Sequence, residues 1–176
     1  TTVLETASLS ENPATAFLVT MMLDTGMRVS EVCGLNLDDI DVDDASALIR
    51  GGKGDKDRMV LFTERTLERL QSWLPIRTSL VDQSEDACLV NRHGRRLQPR
   101  SIQRMMDALG EQSNLPKGKL TPHVLRHNFA TGLLERGADL VTIQRLMGHA
   151  TIATTRVYLE ISDQTLREVY HRAQAL

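Results

Sequence analysis

The stretch Thr121–Tyr158, TPHVLRHNFATGLLERGADLVTIQRLMGHATIATTRVY, decides the fold of the chain, because it reads as successive short helices punctuated by glycine stops. Thr121 can cap a helix whose first position is Pro122, a residue with no N–H to lose there. That helix is predicted to run to about Arg136 and to stop at Gly137. Leu125, Phe129 and Leu133 recur at i, i+4 and i+8 and form its buried stripe, while His123 and Arg126 share a neighbouring face. Two polar groups therefore point the same way beside the core. Asp139 caps a second helix with Leu140, Ile143, Leu146 and Met147, which ends at Gly148 and delivers His149 onto a tight turn. A third helix, capped by Thr151, carries Tyr158.

Upstream, Ser10 or Asn12 can cap a well-buried helix with Pro13 in its first turn, running to about Thr25 and stopped by Gly26. A short helix follows in MRVSEVCGL, and its Arg28 is the sole basic residue among the first forty-nine. Pairing with Glu31 at i+3 would make it a solvated arginine worth a few tenths of a kcal/mol. Its apolar flanks and helix-start position argue instead for a held, partly buried guanidinium. From Asp38 to Phe62 the runs IDV, SALIR and RMVLF alternate between Asp-rich and Gly-rich turns, which predicts a small antiparallel sheet of two or three strands. The turn GGKGDK puts Lys53 at a glycine-flanked tip; on turn chemistry alone it is a solvated lysine. It is not a nucleotide-binding P-loop, since GxxxxGK[ST] is absent.

Thr63 caps a further helix, TERTLERLQSWL, expected to end at Pro75, with IRTSLVDQSED a surface connection and ACLVN a short apolar strand or extended piece. Next, NRHGRRLQPRSIQRM carries five arginines (Arg92, Arg95, Arg96, Arg100, Arg104) and no acid, spanning a Gly turn and a helix from about Pro99 to Gln112. A charge run is usually a solvated face, but with no compensating acid, contact with a nucleic-acid backbone competes. After Tyr158, Ser162 caps a final amphipathic helix with Leu166, Val169, Tyr170, Ala173 and Leu176, which either folds back or docks on a partner.

Composition bounds these readings. The 176 residues suffice for one domain with a real core, which 3% aromatic content leaves to Leu, Val, Ile, Ala and Met. No apolar run approaches membrane-spanning length and no signal peptide opens the chain, so a cytoplasmic protein is expected. Cys33 and Cys88 lack metal-like spacing and read as reduced core residues. Net charge is −2, yet its distribution is uneven: residues 1–49 hold nine acids against one base, and residues 50–136 hold sixteen bases against ten acids. A basic middle on an acidic frame can face phosphate. The chain opens on Thr rather than Met, as expected of an excised or processed fragment.

Among candidate chemistries, His123 and His127 stand at i, i+4 like a helical zinc pair, but Val124 replaces the Glu of HExxH and no further ligand follows, so no metal is expected. GxSxG is absent as well. A phosphodiester fits better. Transfer at phosphorus builds negative charge that needs fixed cations, and guanidinium groups fork onto two oxygens as ammonium groups cannot. Arg28 and Arg126 suit that duty. A tyrosine hydroxyl with a pKa of about 10 needs a base to become a nucleophile, which makes a nearby histidine its expected partner, and a departing alkoxide needs a proton that a lysine on a turn could give.

HVLRH at 123–127, LMGHATIATTRVY at 146–158, TGMRVSEVCGL at 25–35 and GGKGDKDRMVLF at 51–62 together resemble the catalytic domain of the tyrosine recombinases, or phage integrase family, most of all in its Xer style. The resemblance covers essentially the whole chain in the right order, and four spaced motifs are far more specific than any one. The resemblance implies a mainly α (α+β) catalytic domain over residues 1–176 with a small three-stranded antiparallel sheet. It implies Arg28 and Arg126 as phosphate-clamping arginines, Glu31 as the acid that buttresses the first, and Lys53 as general acid on the 5′-oxygen, against the turn-chemistry reading. It further implies His123 as the acid/base histidine, His149 as a phosphate contact and Tyr158 as nucleophile. The implied activity is site-specific recombination of double-stranded DNA through a 3′-phosphotyrosine and a Holliday junction, without metal or cofactor. A tetramer would form on DNA through the terminal helix in trans. The family places a separate helical DNA-clamping domain before this one, and nothing here corresponds to it, so the chain alone is expected to bind DNA weakly or to remain monomeric.

A second reading keeps the residues but drops catalysis. LVTIQRLMGH followed by ATIATTRVYLE also resembles a helix-turn-helix of a DNA-binding regulator, reading the major groove through Thr151, Thr154, Thr155 and Arg156. That reading leaves Arg28 and Lys53 without a role and scatters the residues that a recombinase would gather in one cleft.

Overall fold

In the computed structural model, which describes residues 12–51, 57–148 and 171, helix α1 (Pro13–Thr25) is the axis of the fold. Its sequence has no polar face, so it is buried all round: Phe17, Leu18, Val19, Met21 and Met22 are each 0% exposed. Burying one such side chain is worth about 2 kcal/mol relative to leaving it in water. Asn12 caps the start by accepting from the Ala14 N–H at 3.0 Å, with Pro13 at the first position, and Gly26 ends the helix at φ +66°. Gly26 is also constrained by space, because a Cβ there would lie 2.2 Å from the ring of Phe129.

The short α2 (Val29–Gly34) follows, then a 3₁₀ turn (Leu37–Asp39) and the strands β1 (Ile40–Asp41), β2 (Ser46–Ile49) and β3 (Arg58–Leu61). They form the expected three-stranded antiparallel sheet in the order β1-β2-β3, with Ala47 opposite Ile40 on one side and Val60 on the other. Ile49 pairs with Arg58 at the last rung of the β2–β3 ladder.

Helix α3 (Glu64–Leu80) departs from the expected stop at Pro75 by continuing through it. Pro75 forfeits one helical hydrogen bond. Tertiary contacts outweigh that loss: Trp73 Nε1 donates to Cys88 O at 2.9 Å, and Arg77, 5% exposed, donates to Ala87 O and Glu85 O at 2.7 Å each. The segment ACLVN forms no strand: it bends at Cys88 and Leu89 between two single bridges, Asn36 with Ala87 and Val90 with Arg96. Cys88 within it is fully buried, and burial pushes its thiol up to about 12; Cys33 is half-buried and raised for the same reason, and both are free thiols.

Helices α4 (Pro99–Gln112), α5 (Pro122–Glu135) and α6 (Leu140–Met147) match the expected ends to within a residue. The main core joins α1 to Leu70 and Trp73 of α3, Ile102, Met106 and Leu109 of α4, and Leu125 of α5. A second, smaller cluster joins Phe129, Ala130 and Leu134 of α5 to Ile143 and Met147 of α6. Helix α5 therefore spans the seam between two packed units, with Arg126 on the turn between Leu125 and Phe129. Among the described residues, no helix is long and apolar enough to cross a membrane. The helices expected from Thr151 and Ser162, with Leu166, Val169, Tyr170 and Ala173, lie outside the described residues.

Candidate active site

Arg28 sits at the N-cap of α2, where its backbone N–H donates to Glu31 Oε1 at 2.7 Å. The same carboxylate takes the guanidinium, Nη1 to Oε2 at 3.5 Å, so Glu31 fixes both ends of the residue. The remaining terminal nitrogen, Nη2, donates to Gly148 O at 3.4 Å. With about a third of its side chain exposed (34%), Arg28 is held yet open to solvent, as its helix-start position implied.

Arg126 comes from the opposite direction on α5 and is 3% exposed. Its Nη1 donates to Gly26 O, at the end of α1, and its Nη2 to Met147 O at 2.8 Å, at the end of α6. The first turn of α5 is capped by Thr121, which accepts from the Val124 N–H at 3.1 Å; His123 on that turn is exposed. The shared polar face expected of His123 and Arg126 thus divides, with the histidine at the surface and the arginine in the seam.

A third guanidinium belongs here that the sequence reading left out. Arg58, at the start of β3, has a side chain 9% exposed, with Nη2 on Glu31 Oε1 at 2.8 Å and Nη1 on Leu146 O at 3.1 Å. A signal for it existed: Arg58 lies two and four residues before Val60 and Phe62, both buried, so strand alternation turns its side chain inward. The outcome is that Leu146 O, Met147 O and Gly148 O, three consecutive carbonyls, each accept from a different arginine of a different element. The chain leaves this clamp at Gly148, φ +69°, and the next residue is His149. An open cleft of 280 Å³ beside Arg28 is lined also by Glu31, Asp39, Ile49 and Arg50. Lys53, His149 and Tyr158 lie outside the described residues.

The arginine-rich stretch splits in two. Arg92, Arg95, Arg100 and Arg104 are exposed. Arg96 turns inward, with Nη1 on Cys33 O at 2.9 Å and Nη2 on Asn36 Oδ1 at 2.5 Å, tying the stretch to the end of α2. Among the described residues no group of His, Cys, Asp or Glu is placed to hold a metal ion.

Residues 2–165 match the sequence model of the phage integrase family. The chain belongs to the phage integrase family. This family domain is 40% identical over 156 residues to the tyrosine recombinase XerC of Pseudomonas fluorescens, covering 89% of the chain and 51% of that protein. It therefore spans about half the length of that relative. Its structure is similar to the crystal structure of XerA recombinase, with a TM-score of 0.87 and 38% identity, over 98% of this chain and 61% of that one. It is also similar to XerH site-specific recombinase in a pre-cleavage complex with its difH substrate, with a TM-score of 0.78 and 30% identity, over 96% and 50% of the two chains.

Proposed function

We propose that this protein is the catalytic domain of a tyrosine-type site-specific DNA recombinase, which breaks and rejoins double-stranded DNA at a recombination site. The observation that carries the reading is the meeting of Arg28 and Arg126 at one helix end, immediately before His149, although ninety-seven residues separate the two. One fixed guanidinium lining a cleft, Arg28, with a second buried behind the same helix end, Arg126, suits a phosphodiester, whose transfer concentrates negative charge on non-bridging oxygens. Likeness to XerH in complex with difH supports DNA as the substrate.

In this mechanism the Tyr158 oxygen attacks the scissile phosphorus and its proton passes to His123. The bond from phosphorus to the 5′-oxygen breaks, and Lys53 gives that oxygen its proton. A 3′-phosphotyrosine and a free 5′-hydroxyl result, so the bond energy is conserved and the exchanged strand can reverse the step. His149 with Arg28 and Arg126 holds the phosphate, Glu31 orients Arg28, and Arg92, Arg95, Arg100 and Arg104 contact the DNA backbone. The recombination synapse is a homotetramer passing through a Holliday junction, with the terminal helix (Leu166, Val169, Tyr170, Ala173) docked in trans and the chain monomeric without DNA. The setting is the cytoplasm, with nucleoid association during action. The regulator reading gains nothing from Arg28 and Arg126 sharing a helix end.

The test is a nicked duplex carrying the recombination site. A covalent protein–DNA adduct is expected in the presence of EDTA and lost by about 1,000-fold or more in Tyr158→Phe. An adduct that persists in that variant would refute the assignment.

A further inference from the structure

Arg58 has no part in the chemistry above, yet its guanidinium joins the pieces that perform it. We infer that Arg58 is a positioning residue for this site, setting Arg28 and the end of α6 in fixed relation; the inference rests on the proposed strand transfer.

Its hydrogen bonds close a ring. Arg58 donates to Glu31 Oε1 at 2.8 Å; Glu31 accepts from Arg28 at 2.7 Å (backbone) and 3.5 Å (guanidinium). Arg28 reaches Gly148 O at 3.4 Å, and two residues back along α6 Leu146 O accepts from Arg58 again at 3.1 Å. A change at Arg58 therefore reaches the phosphate-facing arginine through one carboxylate and the exit towards His149 through one carbonyl. Only a fork can serve both, since the two acceptors lie on different elements and a lysine ammonium is a single point charge on a flexible stem. Gly148 is shaped to this partner: a Cβ there would lie 2.3 Å from Arg58 Nε and 2.6 Å from Cδ. By sequence, Arg58 stands five residues after Lys53 on the return strand of the same turn. The root of that turn is closed by the Gly51 N–H donating to Asp57 Oδ1 at 2.8 Å. One side chain thus anchors the strand that follows the general acid, the carboxylate that orients the clamp, and the helix that presents the histidine.

Removing the fork while keeping the stem's bulk, as in Arg58→Met, leaves Glu31 paired to Arg28 alone and draws that guanidinium away from the phosphate. Misplacement of a catalytic group by about 1 Å costs roughly 100-fold.

The experiment measures, on one nicked duplex, the single-turnover rate of adduct formation and the equilibrium affinity for the DNA. R58M is expected to slow adduct formation about 100-fold with affinity changed less than about threefold, because the exposed arginines supply the backbone contacts. R58K, which keeps charge and fold, is expected to remain at least about tenfold slow. In a Glu31→Gln background R58M is expected to lose the part of its effect that passes through the carboxylate, so the two losses fall short of additive. A wild-type rate in R58M or R58K, additive losses with E31Q, or a rate loss that merely follows lost affinity would overturn the inference. If R58M does not fold, R58K decides. The side-chain Nε–H resonance of Arg28, read by NMR without DNA, separates this inference from the function it rests on. Wild-type protein that forms no adduct refutes strand transfer, while an Arg28 resonance unmoved in R58K refutes the positioning role.

Discussion

Two sets of arginines are placed in opposite ways by the fold. Arg92, Arg95, Arg100 and Arg104 crowd into thirteen residues and stay exposed, separate charges on a surface. Arg28, Arg58 and Arg126 are scattered over ninety-nine residues, and the fold gathers them onto three successive carbonyls. Density in sequence makes a field that any phosphate can feel; convergence on fixed acceptors makes a geometry that one phosphate can use. Arg96 shows that the difference lies in the acceptors rather than the neighbours: flanked by solvated arginines, it turns to Cys33 O and Asn36 because they are within reach.

The largest effect that would sharpen this contrast is expected at Arg126. Arg126→Ala should lower adduct formation by about 1,000-fold. It should also lower unfolding free energy by about 2 kcal/mol, because Gly26 O and Met147 O lose buried donors. A chemical-denaturation midpoint equal to wild type would break the contrast, since it would make Arg126 a surface-like charge after all. A smaller effect separates Arg96 from its neighbours. Arg96→Ala is expected to cost about 1–2 kcal/mol of stability with DNA affinity nearly unchanged. Arg92→Ala, Arg95→Ala, Arg100→Ala and Arg104→Ala should each leave the melting temperature alone and reduce the salt dependence of binding by about one ion. Equal salt slopes for Arg96→Ala and its neighbours would erase the distinction.

The smallest effect concerns Arg65, half exposed and paired with the nearly buried carboxylate of Asp24 at the end of α1. Burial pushes the Asp24 carboxyl up, but hydrogen bonds from Arg65, Thr63 and Thr66 outweigh it and hold the group below the ordinary carboxylate range. A depressed folded value stabilises the protein above the unfolded pKa, and that contribution disappears as pH falls through the folded one. Asp24→Asn is therefore expected to lower stability at pH 7 by no more than about 1 kcal/mol, with the difference from wild type shrinking towards pH 3. A difference constant with pH would show that the carboxylate's charge is immaterial there.

Much of the architecture was legible because helix ends are local chemistry. Asn12, Thr63, Thr121 and Asp139 each accept from a backbone N–H at the positions their residue types imply, and Gly26 and Gly148 each close a helix in the left-handed region. Pro75 misled because a local rule met a non-local one: Arg77 reaches across to Ala87 and Glu85 and keeps the helix going beyond it. Arg58 escaped notice for a related reason. Its strand alternation was visible, but its worth lies in Glu31 and Leu146, twenty-seven and eighty-eight residues away, and no periodicity encodes such distances. Arg28 and Glu31 were readable as a pair because they sit three apart on one turn.

The arginine clamp on α6 also settles an electrostatic conflict. The last carbonyls of a helix lack partners within it and concentrate about half a negative charge at its C-terminus. Helix α6 aims that end at the site where an anion is proposed to bind. Left bare, its carbonyls would repel the phosphate from the very point at which the chain delivers His149. With a guanidinium on each of Leu146 O, Met147 O and Gly148 O, the negative pole is covered. Under the proposed function, a helix terminus that would otherwise repel DNA is masked by three cations.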